Sequence, residues 1–426
     1  MKQFDRLRRI YNRFDPHRLP SAEEYVDLES VRGESVLGPL LRSLLFADSK
    51  QPFSRLFAGG RGAGKTTELR RFERELRDNG FYPIYIDVER TLDVNNCDFA
   101  DFLIAIAYGV ESSLREQNAP GYRAIEGYVK QKLDEIHRFF FTKIETKEAK
   151  VSAGAAELSF AFQEATSRRK LLDEEYEVLA RDAVIATADL LRAVQKEITK
   201  QFSGLVLLVD GGDKIVPYRA GSDGTSQHTK IFAQRATQLC SLGCHVIYSV
   251  PLSFCYSPDA MNFATTSGAP AIVLPMTSLR GQNKEEYSAA HEGFKAFREL
   301  VAKRLPGEKM EEVFEKESLE RVIFASGGCP TALMTLIQES VARGNALPIS
   351  IEAANKAVRS MANSFARTID SEYWNLLNSL KNPTSTPERS PLFTSALYYQ
   401  FAYEYMNGSS WFEVNPVLRE LPQLSA

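Results

Sequence analysis

A glycine-rich loop between an apolar segment and a helical pattern constrains the fold of this chain more than any other feature. The loop reads Gly59-Gly60-Arg61-Gly62-Ala63-Gly64-Lys65-Thr66 and is followed by Thr67. Glycines permit backbone conformations that a Cβ atom forbids, so several N–H groups can converge on one anion. The helix predicted over 65–77 adds the positive end of its dipole at the same point. The pattern therefore predicts a phosphate-binding turn between a buried strand, 55–58, and a helix.

The spacing of this loop, a Walker A pattern, also predicts the roles of its polar side chains. Lys65 can reach the β- and γ-phosphates of a nucleotide, and the Thr66 hydroxyl can bind Mg²⁺. A glycine-rich turn that binds nothing is the alternative, and average composition gives the bare pattern by chance in roughly one or two per cent of chains of this size. We therefore expect ATP and Mg²⁺ as cofactors, with all the residues from Gly59 to Thr67 at the nucleotide.

Length and composition are typical of a globular protein of the cytoplasm. The chain has 426 residues, of which 44% are apolar and 25% charged, and a net charge of −3. This charge argues against a general binder of nucleic acids or of anionic membranes. The five scattered cysteines are typical of reduced cytosolic proteins, and no apolar run is long enough for a bilayer span or a signal peptide. The length suggests two or three domains.

The alternation of apolar runs and helical patterns predicts an α/β fold. Strands are predicted over 55–58, 81–87, 204–209, 245–250 and 271–274, and helices over 65–77, 100–115, 125–142, 171–200 and 231–242. Period-two alternation over 151–162 indicates a further hairpin. Because buried strands separated by helices form parallel sheets, we predict a five-stranded parallel sheet with helices on both faces.

Four segments are predicted along the chain. They are an N-terminal lead-in (1–50), a nucleotide-binding domain (51–282) with a helical insert at about 116–200, a helical lid (283–380) and a small winged-helix-like tail (381–426). The basic residues of the lead-in are interpreted as a solvated helix face rather than a docking arm. The insert is the natural place for a partner or a second subunit, and an exposed helical hairpin without a partner is the alternative. The tail has a net charge of −1, which favours protein contacts over DNA reading.

A strand that ends in a carboxylate predicts the metal side of the site. The apolar run 205–209 leads into Asp210, which we expect to act on Mg²⁺ through water; a plain turn residue is the alternative. Many P-loop ATPases carry a glutamate next, and in this chain that position is Gly211. Asp213 is therefore the predicted catalytic base, with a structural turn cap as the alternative and Glu89 as a weaker candidate.

Ser249 is the third candidate catalytic side chain, with Lys65 and Asp213. It lies near the end of the strand predicted over 245–250, where a polar group could contact the γ-phosphate or the attacking water. A buried strand hydroxyl without a catalytic role is an equal alternative.

Taken together, these motifs resemble the STAND and AAA+ branch of P-loop ATPases, nearest to origin-recognition-complex-like, NACHT and NB-ARC proteins. The resemblance is carried by 59–69 with 85–89, by 209–214 and by 326–333. The second stretch is similar to the Walker B motif of STAND proteins. The third, Ser-Gly-Gly-Cys-Pro-Thr-Ala-Leu, resembles the Gly-x-Pro element with which NB-ARC proteins bring a helical lid onto the nucleotide. This likeness implies that Pro330 contacts the base, and a plain helix start is the alternative.

Two departures from the resemblance favour slow hydrolysis. No arginine lies between Ser249 and Arg280, where AAA+ rings carry a finger that acts in trans, and Thr331 stands where related lids carry a sensor arginine. Arg280, Arg304 and the pair at 168–169 are possible substitutes, to none of which the sequence assigns the role.

The resemblance leads to three hypotheses for function. The first is a slow ATPase switch that forms homo-oligomers and acts on a protein partner, as in bacterial defence or signalling modules. The second is an initiator-like ATPase that binds DNA through its tail and basic N-terminus. The third is a nucleotide-sensing scaffold with negligible hydrolysis. We rank them in that order.

Overall fold

The computed structural model describes residues 2–33, 35–47, 52–141, 173–217, 224–281, 288–382 and 387–424. The chain forms two compact units. One, the loop unit, consists of Met1–Gly38, Gly59–Thr67 and Val273–Ala426, and the other, the sheet unit, of Pro39–Ala58 and Glu68–Ile272. The hairpin predicted over 151–162 and the arginines at 168–169 lie outside the described residues. Within the described parts, no helix is both long and apolar enough to cross a membrane.

The helices and strands are numbered in chain order. They are α1 (Lys2–Arg13), α2 (Gly38–Phe46), β1 (Ser54–Gly59), α3 (Lys65–Asp78), β2 (Tyr82–Asp87), α4 (Phe99–Glu116), α5 (Tyr122–Phe141), α6 (Asp173–Ile198), β3 (Leu205–Asp210), α7 (Ala236–Cys240), β4 (His245–Pro251), α8 (Leu252–Cys255), α9 (Ala260–Ser267), β5 (Ile272–Leu274), α10 (Glu292–Lys303), α11 (Met310–Val313), α12 (Lys316–Ser326), α13 (Pro330–Arg343), α14 (Ile351–Ala366), α15 (Tyr373–Ser379), α16 (Pro391–Tyr398), β6 (Ala402–Asn407) and β7 (Ser409–Val414).

Strands β1 to β5 form one sheet in the order β2-β3-β4-β1-β5. The β2–β3 and β3–β4 pairs are parallel, and the register places Asp87 opposite Asp210. Strand β3 is buried along its whole length, as expected for a Leu- and Val-rich strand covered on both faces. Each of the five strands begins and ends within one residue of its predicted position. The predicted α/β fold with a five-stranded sheet is confirmed.

The helix predicted over 231–242 is interrupted in the structure. A π-helical turn, Thr229–Ala233, precedes the short helix α7. Within this turn, the ring of Phe232 packs against Phe102 and Tyr248 at centroid distances of 5.4 and 6.1 Å. The irregular turn therefore coincides with burial of Phe232 in an aromatic cluster. The apolar period of the sequence predicts a helix here but does not reveal its interruption.

In the loop unit, the C-terminal hairpin forms hydrogen bonds with two earlier segments of the chain. Strands β6 and β7 are antiparallel and meet at Gly408. The Met276 N–H donates to the Glu404 carbonyl at 2.9 Å, and the Tyr405 hydroxyl donates to the Gly327 carbonyl at 2.8 Å. The hairpin is thus tied to the chain at both 276 and 327, within one compact unit.

The N-terminal helix α1 also belongs to the loop unit. Its Arg6 forms ion pairs with Glu308 and Glu312 at 2.6 and 2.9 Å, and its Arg13 donates to the carbonyl of Arg304 at 3.5 Å. Part of the basic face, interpreted from the sequence as solvated, therefore contacts Glu308 in the turn after α10 and Glu312 in α11.

Candidate functional site

The glycine-rich loop adopts the backbone that its sequence predicts. It begins where β1 ends and leads into α3, which begins at Lys65. Gly62 and Gly64 have φ angles of +75° and +99°, which residues with a side chain rarely adopt. A Cβ atom at Gly62 would also lie 2.8 Å from the Cys329 Sγ. The loop therefore needs glycine at these two positions, at Gly62 for both conformation and space.

Lys65 is folded onto its own loop. Its side chain is buried, and its Nζ donates to the carbonyl oxygens of Gly59 and Gly60 at 2.9 and 3.1 Å. A buried ammonium requires hydrogen-bond acceptors, and these two carbonyls supply them. Phosphate oxygens are stronger acceptors for an ammonium than neutral carbonyls, so an anion bound in the loop can replace them.

Arg32 is a second cation at the loop, and sequence reasoning missed it. Its side chain is buried, with 2% of the residue exposed; Nη2 donates to the Ala63 carbonyl at 2.6 Å and Nε to the Thr277 hydroxyl at 3.3 Å. The contact fixes the middle of the loop and adds positive charge next to it. A lone arginine in an irregular segment, 31 positions before the residue it binds, carries no local signal of this role.

The turn that precedes α13 contacts the loop from another side. The Thr331 N–H donates to the Gly62 carbonyl at 3.3 Å, and the Cys329 thiol lies 3.8 Å from the Arg61 carbonyl oxygen. Pro330, the predicted base contact, is the first residue of α13 between them. The structure thus brings the Gly-Gly-Cys-Pro turn to the loop, and a contact between Pro330 and a base remains a prediction.

Arg61 connects the loop to helix α16. Its Nη2 donates to the Tyr398 hydroxyl at 2.6 Å, and its guanidinium carbon lies 4.5 Å from the centre of the same ring. A hydrogen bond and a cation–π contact on one side chain hold it strongly. Both residues belong to the loop unit.

In the sheet unit, polar side chains gather at the carboxyl ends of β2, β3 and β4. Asp210 is 3% exposed; its Oδ1 accepts from the Gly211 N–H at 2.9 Å and its Oδ2 from the Tyr85 hydroxyl at 2.6 Å. Burial and the adjacent Asp210 carboxylate raise the pKa of Tyr85, so the phenol is a protonated donor at neutral pH. Burial also raises the pKa of Asp87, with Lys214 opposing the effect and Asp210 adding to it.

The structure brings the predicted residues Asp213 and Ser249 together. Asp213 lies in the 3₁₀ turn Gly212–Lys214 after β3 and is buried. The Ser249 hydroxyl, at the end of β4, donates to its Oδ1 at 3.3 Å. The weaker candidate, Glu89, forms an ion pair with Lys214 and is half-exposed. The geometry therefore leaves Asp213, paired with Ser249, as the better candidate base.

The arginines considered as substitutes for a catalytic finger have structural partners. Arg280 forms an ion pair with Glu413 at 2.7 Å, with both side chains buried. Arg304 is buried and donates to the carbonyls of Arg13 and Arg18 at 3.0 and 3.5 Å. Both are engaged in holding the loop unit together.

The glycine-rich loop after β1 and the five-stranded sheet define a P-loop α/β fold. No protein-family model matches the sequence, and a search of curated proteins gives no significant match. Solved structures similar to the chain include a Walker-type ATPase of Pyrococcus abyssi, with 14% identity, a TM-score of 0.45 and coverage of 97% of this chain and 100% of that one.

Two further similar structures are the ORC2 protein of Aeropyrum pernix with ADPNP and ADP, and Cdc6p of Pyrobaculum aerophilum. Each is 11% identical to this chain, and each alignment covers 97% of this chain and 96% of the other. The TM-scores are 0.42 and 0.40.

Proposed function

We propose that the chain binds ATP through residues 59–67 and hydrolyses it slowly, as a switch. The observation that carries the proposal is the loop itself. Gly62 and Gly64 have the left-handed backbone of an anion-binding turn, and the buried cations Lys65 and Arg32 both donate to its carbonyls. A helix N-terminus and two cations at one loop suit a polyphosphate.

The residues present fit a magnesium nucleotide. The buried side chains of Lys65 and Arg32 place two cations at the loop, and the donor set offers oxygen ligands, which Mg²⁺ prefers. Mg²⁺ sites that bind nucleotides use one or two protein oxygens together with phosphates. We assign Thr66 and Asp210 to the metal by their positions in the two motifs, Asp210 acting through water.

For hydrolysis, we propose Asp213 as the base that orients the attacking water, with Ser249 holding its carboxylate. Burial of Asp213 and its bond to Ser249 support this role, because a fixed carboxylate orients a water better than a mobile one. The glycine after Asp210 and the structural engagement of Arg280 and Arg304 support a slow rate.

The switch part of the proposal rests on contacts inside the loop unit. Residues 61 and 62 of the loop bind Tyr398 and Thr331, which lie at the ends of helices α16 and α13. A nucleotide that changes the backbone at Arg61 and Gly62 would change both contacts. We infer that a partner protein, or a second copy of the chain, reads this difference; a defence or signalling role follows from the motif resemblance alone.

The test compares Lys65→Ala with Lys356→Ala, a substitution of an exposed lysine on α14 that pairs with the neighbouring Glu352. Binding of a fluorescent ATP analogue and phosphate release are measured for both. Lys65→Ala should lower turnover by roughly 100-fold or more, because charge contacts to the transition state in a water-excluded site are worth several kcal/mol. Turnover equal to that of Lys356→Ala would refute the proposal.

Assembly and DNA binding are measured on the unmodified chain. Mass photometry with and without ATP should reveal an ATP-dependent oligomer if the switch acts by assembly. The initiator-like alternative instead predicts DNA binding in gel shifts that weakens steeply with salt. ATP binding without phosphate release, unaffected by Asp213→Ala, would favour the scaffold alternative.

A further inference from the structure

A tyrosine on β2 lies diagonally opposite the carboxylate that ends β3. Tyr85 pairs in register with Leu208, and Asp87 with Asp210. Because side chains alternate between faces along a strand, Tyr85 and Asp210 lie on the same face of the sheet, two residues apart in register. The tyrosine side chain spans this diagonal separation, because its phenol oxygen lies 2.6 Å from Oδ2 of Asp210.

The carboxylate of Asp210 is therefore held through both of its oxygens. Oδ1 accepts from the Gly211 N–H at 2.9 Å, and Oδ2 accepts from Tyr85. One donor on each oxygen opposes rotation of the carboxylate about its Cβ–Cγ bond. Each carboxylate oxygen has two lone-pair sites, so an oxygen that accepts one hydrogen bond can also accept from a metal-bound water.

Tyr85 is itself fixed through its ring. The guanidinium carbon of Arg70 lies 3.3 Å from the centre of the Tyr85 ring, and Arg70 donates to the carboxylate of Glu73 at 2.9 Å. A cation held over the ring by its own ion pair stabilises the ring position. The sheet unit thus contains a connected series of contacts from Glu73 through Arg70 and Tyr85 to Asp210.

We propose that Tyr85 is the positioning residue of Asp210, orienting its carboxylate toward the water shell of a nucleotide-bound Mg²⁺. This inference rests on the proposed nucleotide function and assigns Tyr85 a role of its own beside the two motifs. A carboxylate that binds a metal through water must still be oriented, and loss of the groups that orient metal-binding residues costs metal affinity.

The experiment removes only the hydroxyl. Tyr85→Phe keeps the ring under Arg70, and Tyr82→Phe on the same strand is the matched control, because its hydroxyl donates to Gln117 at 3.4 Å and not to Asp210. Binding of a fluorescent ATP analogue is titrated with Mg²⁺, and repeated in EDTA. Thermal unfolding is measured in parallel.

We expect Tyr85→Phe to raise the Mg²⁺ concentration for half-saturation by about tenfold or more, with unchanged nucleotide affinity in EDTA. Tyr82→Phe should leave both unchanged. A Mg²⁺ titration of Tyr85→Phe that coincides with the unmodified chain would overturn the inference, even if its melting temperature falls. Should Tyr85→Phe not fold, Tyr85→His, which keeps a ring donor, is tested in its place and must bind Mg²⁺ more tightly than Tyr85→Leu.

Asp210→Asn separates this inference from the proposed function. If the unmodified chain binds no ATP analogue, both are wrong. If Asp210→Asn weakens the Mg²⁺ response and Tyr85→Phe does not, the proposed function stands and the inference alone is wrong.

Discussion

The main-chain N–H of Thr331 donates to the carbonyl oxygen of Gly62 at 3.3 Å. Thr331 is the second residue of α13, and Cys329, the residue before the helix, makes no side-chain cap. The first N–H groups of a helix have no partner within it, and the Gly62 carbonyl of the glycine-rich loop satisfies one of them. One hydrogen bond therefore joins the N-terminal end of α13 to the backbone of the loop, and it is the physical basis of the switch that we propose.

Gly62→Ala should disturb both the hydrogen bond to Thr331 and the binding of ATP by the loop. An alanine at φ +75° is strained, and its Cβ would lie 2.8 Å from Cys329 Sγ and from Thr331 Cβ. The strain alone costs about 1–2 kcal/mol, and the crowding adds to it. We expect a lower melting temperature and loss of ATP binding in calorimetry.

Gly127→Ala is the control for that substitution. Gly127 lies within α5, and a Cβ there meets nothing within 4 Å. Alanine in an open helical position stabilises by up to about 1 kcal/mol. If Gly62→Ala had the same melting temperature and ATP affinity as Gly127→Ala, the left-handed conformation and close contacts assigned to Gly62 would be refuted.

Arg32→Ala should weaken ATP binding and lower stability, because it deprives the Ala63 carbonyl of this donor and removes a cation from the loop. Loss of a partner to a buried polar group costs about 1–3 kcal/mol. Arg32→Lys should keep only part of the ATP affinity and of the stability, since a lysine cannot reproduce the two directed donors. Calorimetric titration with ATP measures the effect against Arg359→Ala, an exposed position on α14; equal affinities in these variants would contradict the role.

Asp213→Asn should separate binding from chemistry. The amide keeps the shape of the carboxylate but not its basicity, and general-base catalysis contributes about 10²–10⁴-fold. We expect kcat to fall within that range and the Kd for ATP to stay unchanged. Ser249→Ala removes a hydrogen bond to Asp213 but keeps the carboxylate, and should have a smaller effect. An unchanged phosphate-release rate for Asp213→Asn would exclude Asp213 as the base.

The sheet and the glycine-rich loop were predictable because their signals are local. The strands of the sheet are apolar runs, three of which end in glycine or aspartate, as Leu205–Asp210 illustrates, and the loop has a fixed spacing. Asp213 and Ser249 were each predicted separately. Their hydrogen bond depends on the adjacent placement of β3 and β4, which is a tertiary property.

Other parts of the site could not be predicted because they depend on contacts between distant residues. Arg32 binds Thr277, 245 positions away, and Tyr85 binds Asp210, 125 positions away. Neither residue type nor neighbouring sequence distinguishes them from ordinary structural residues. The same holds for Arg280, whose partner Glu413 lies in the C-terminal hairpin.

Glu413→Ala should strongly destabilise the loop unit. It would leave Arg280 buried without this counter-charge, and breaking a buried ion pair in this way costs about 3–5 kcal/mol. Glu352→Ala breaks the exposed pair with Lys356 and should cost less than about 0.5 kcal/mol. Chemical denaturation measures both. If Glu413→Ala cost no more than Glu352→Ala, the structural role of Arg280 would be refuted.

The stability of the sheet unit should fall in mild acid because of His245. Burial lowers the pKa of His245 to about 4, and the Phe53 N–H donates to its Nδ1 at 3.3 Å. The unfolded chain takes up a proton near pH 6.5, whereas the folded chain does so only near pH 4. The contribution of neutral His245 to the free energy of unfolding is therefore fully present above about pH 6.5. It is lost as the pH falls toward 4, by up to about 3 kcal/mol.

The test is the pH dependence of unfolding for His245→Asn, which keeps an acceptor near the Phe53 N–H but cannot be protonated in this range. His17→Asn, at an exposed position, is the control. Relative to pH 7.5, the unmodified chain and His17→Asn should lose more stability at pH 5 than His245→Asn does. Parallel curves for all three proteins would mean that His245 is not the group whose protonation opposes folding, because only a histidine kept neutral by burial produces that difference.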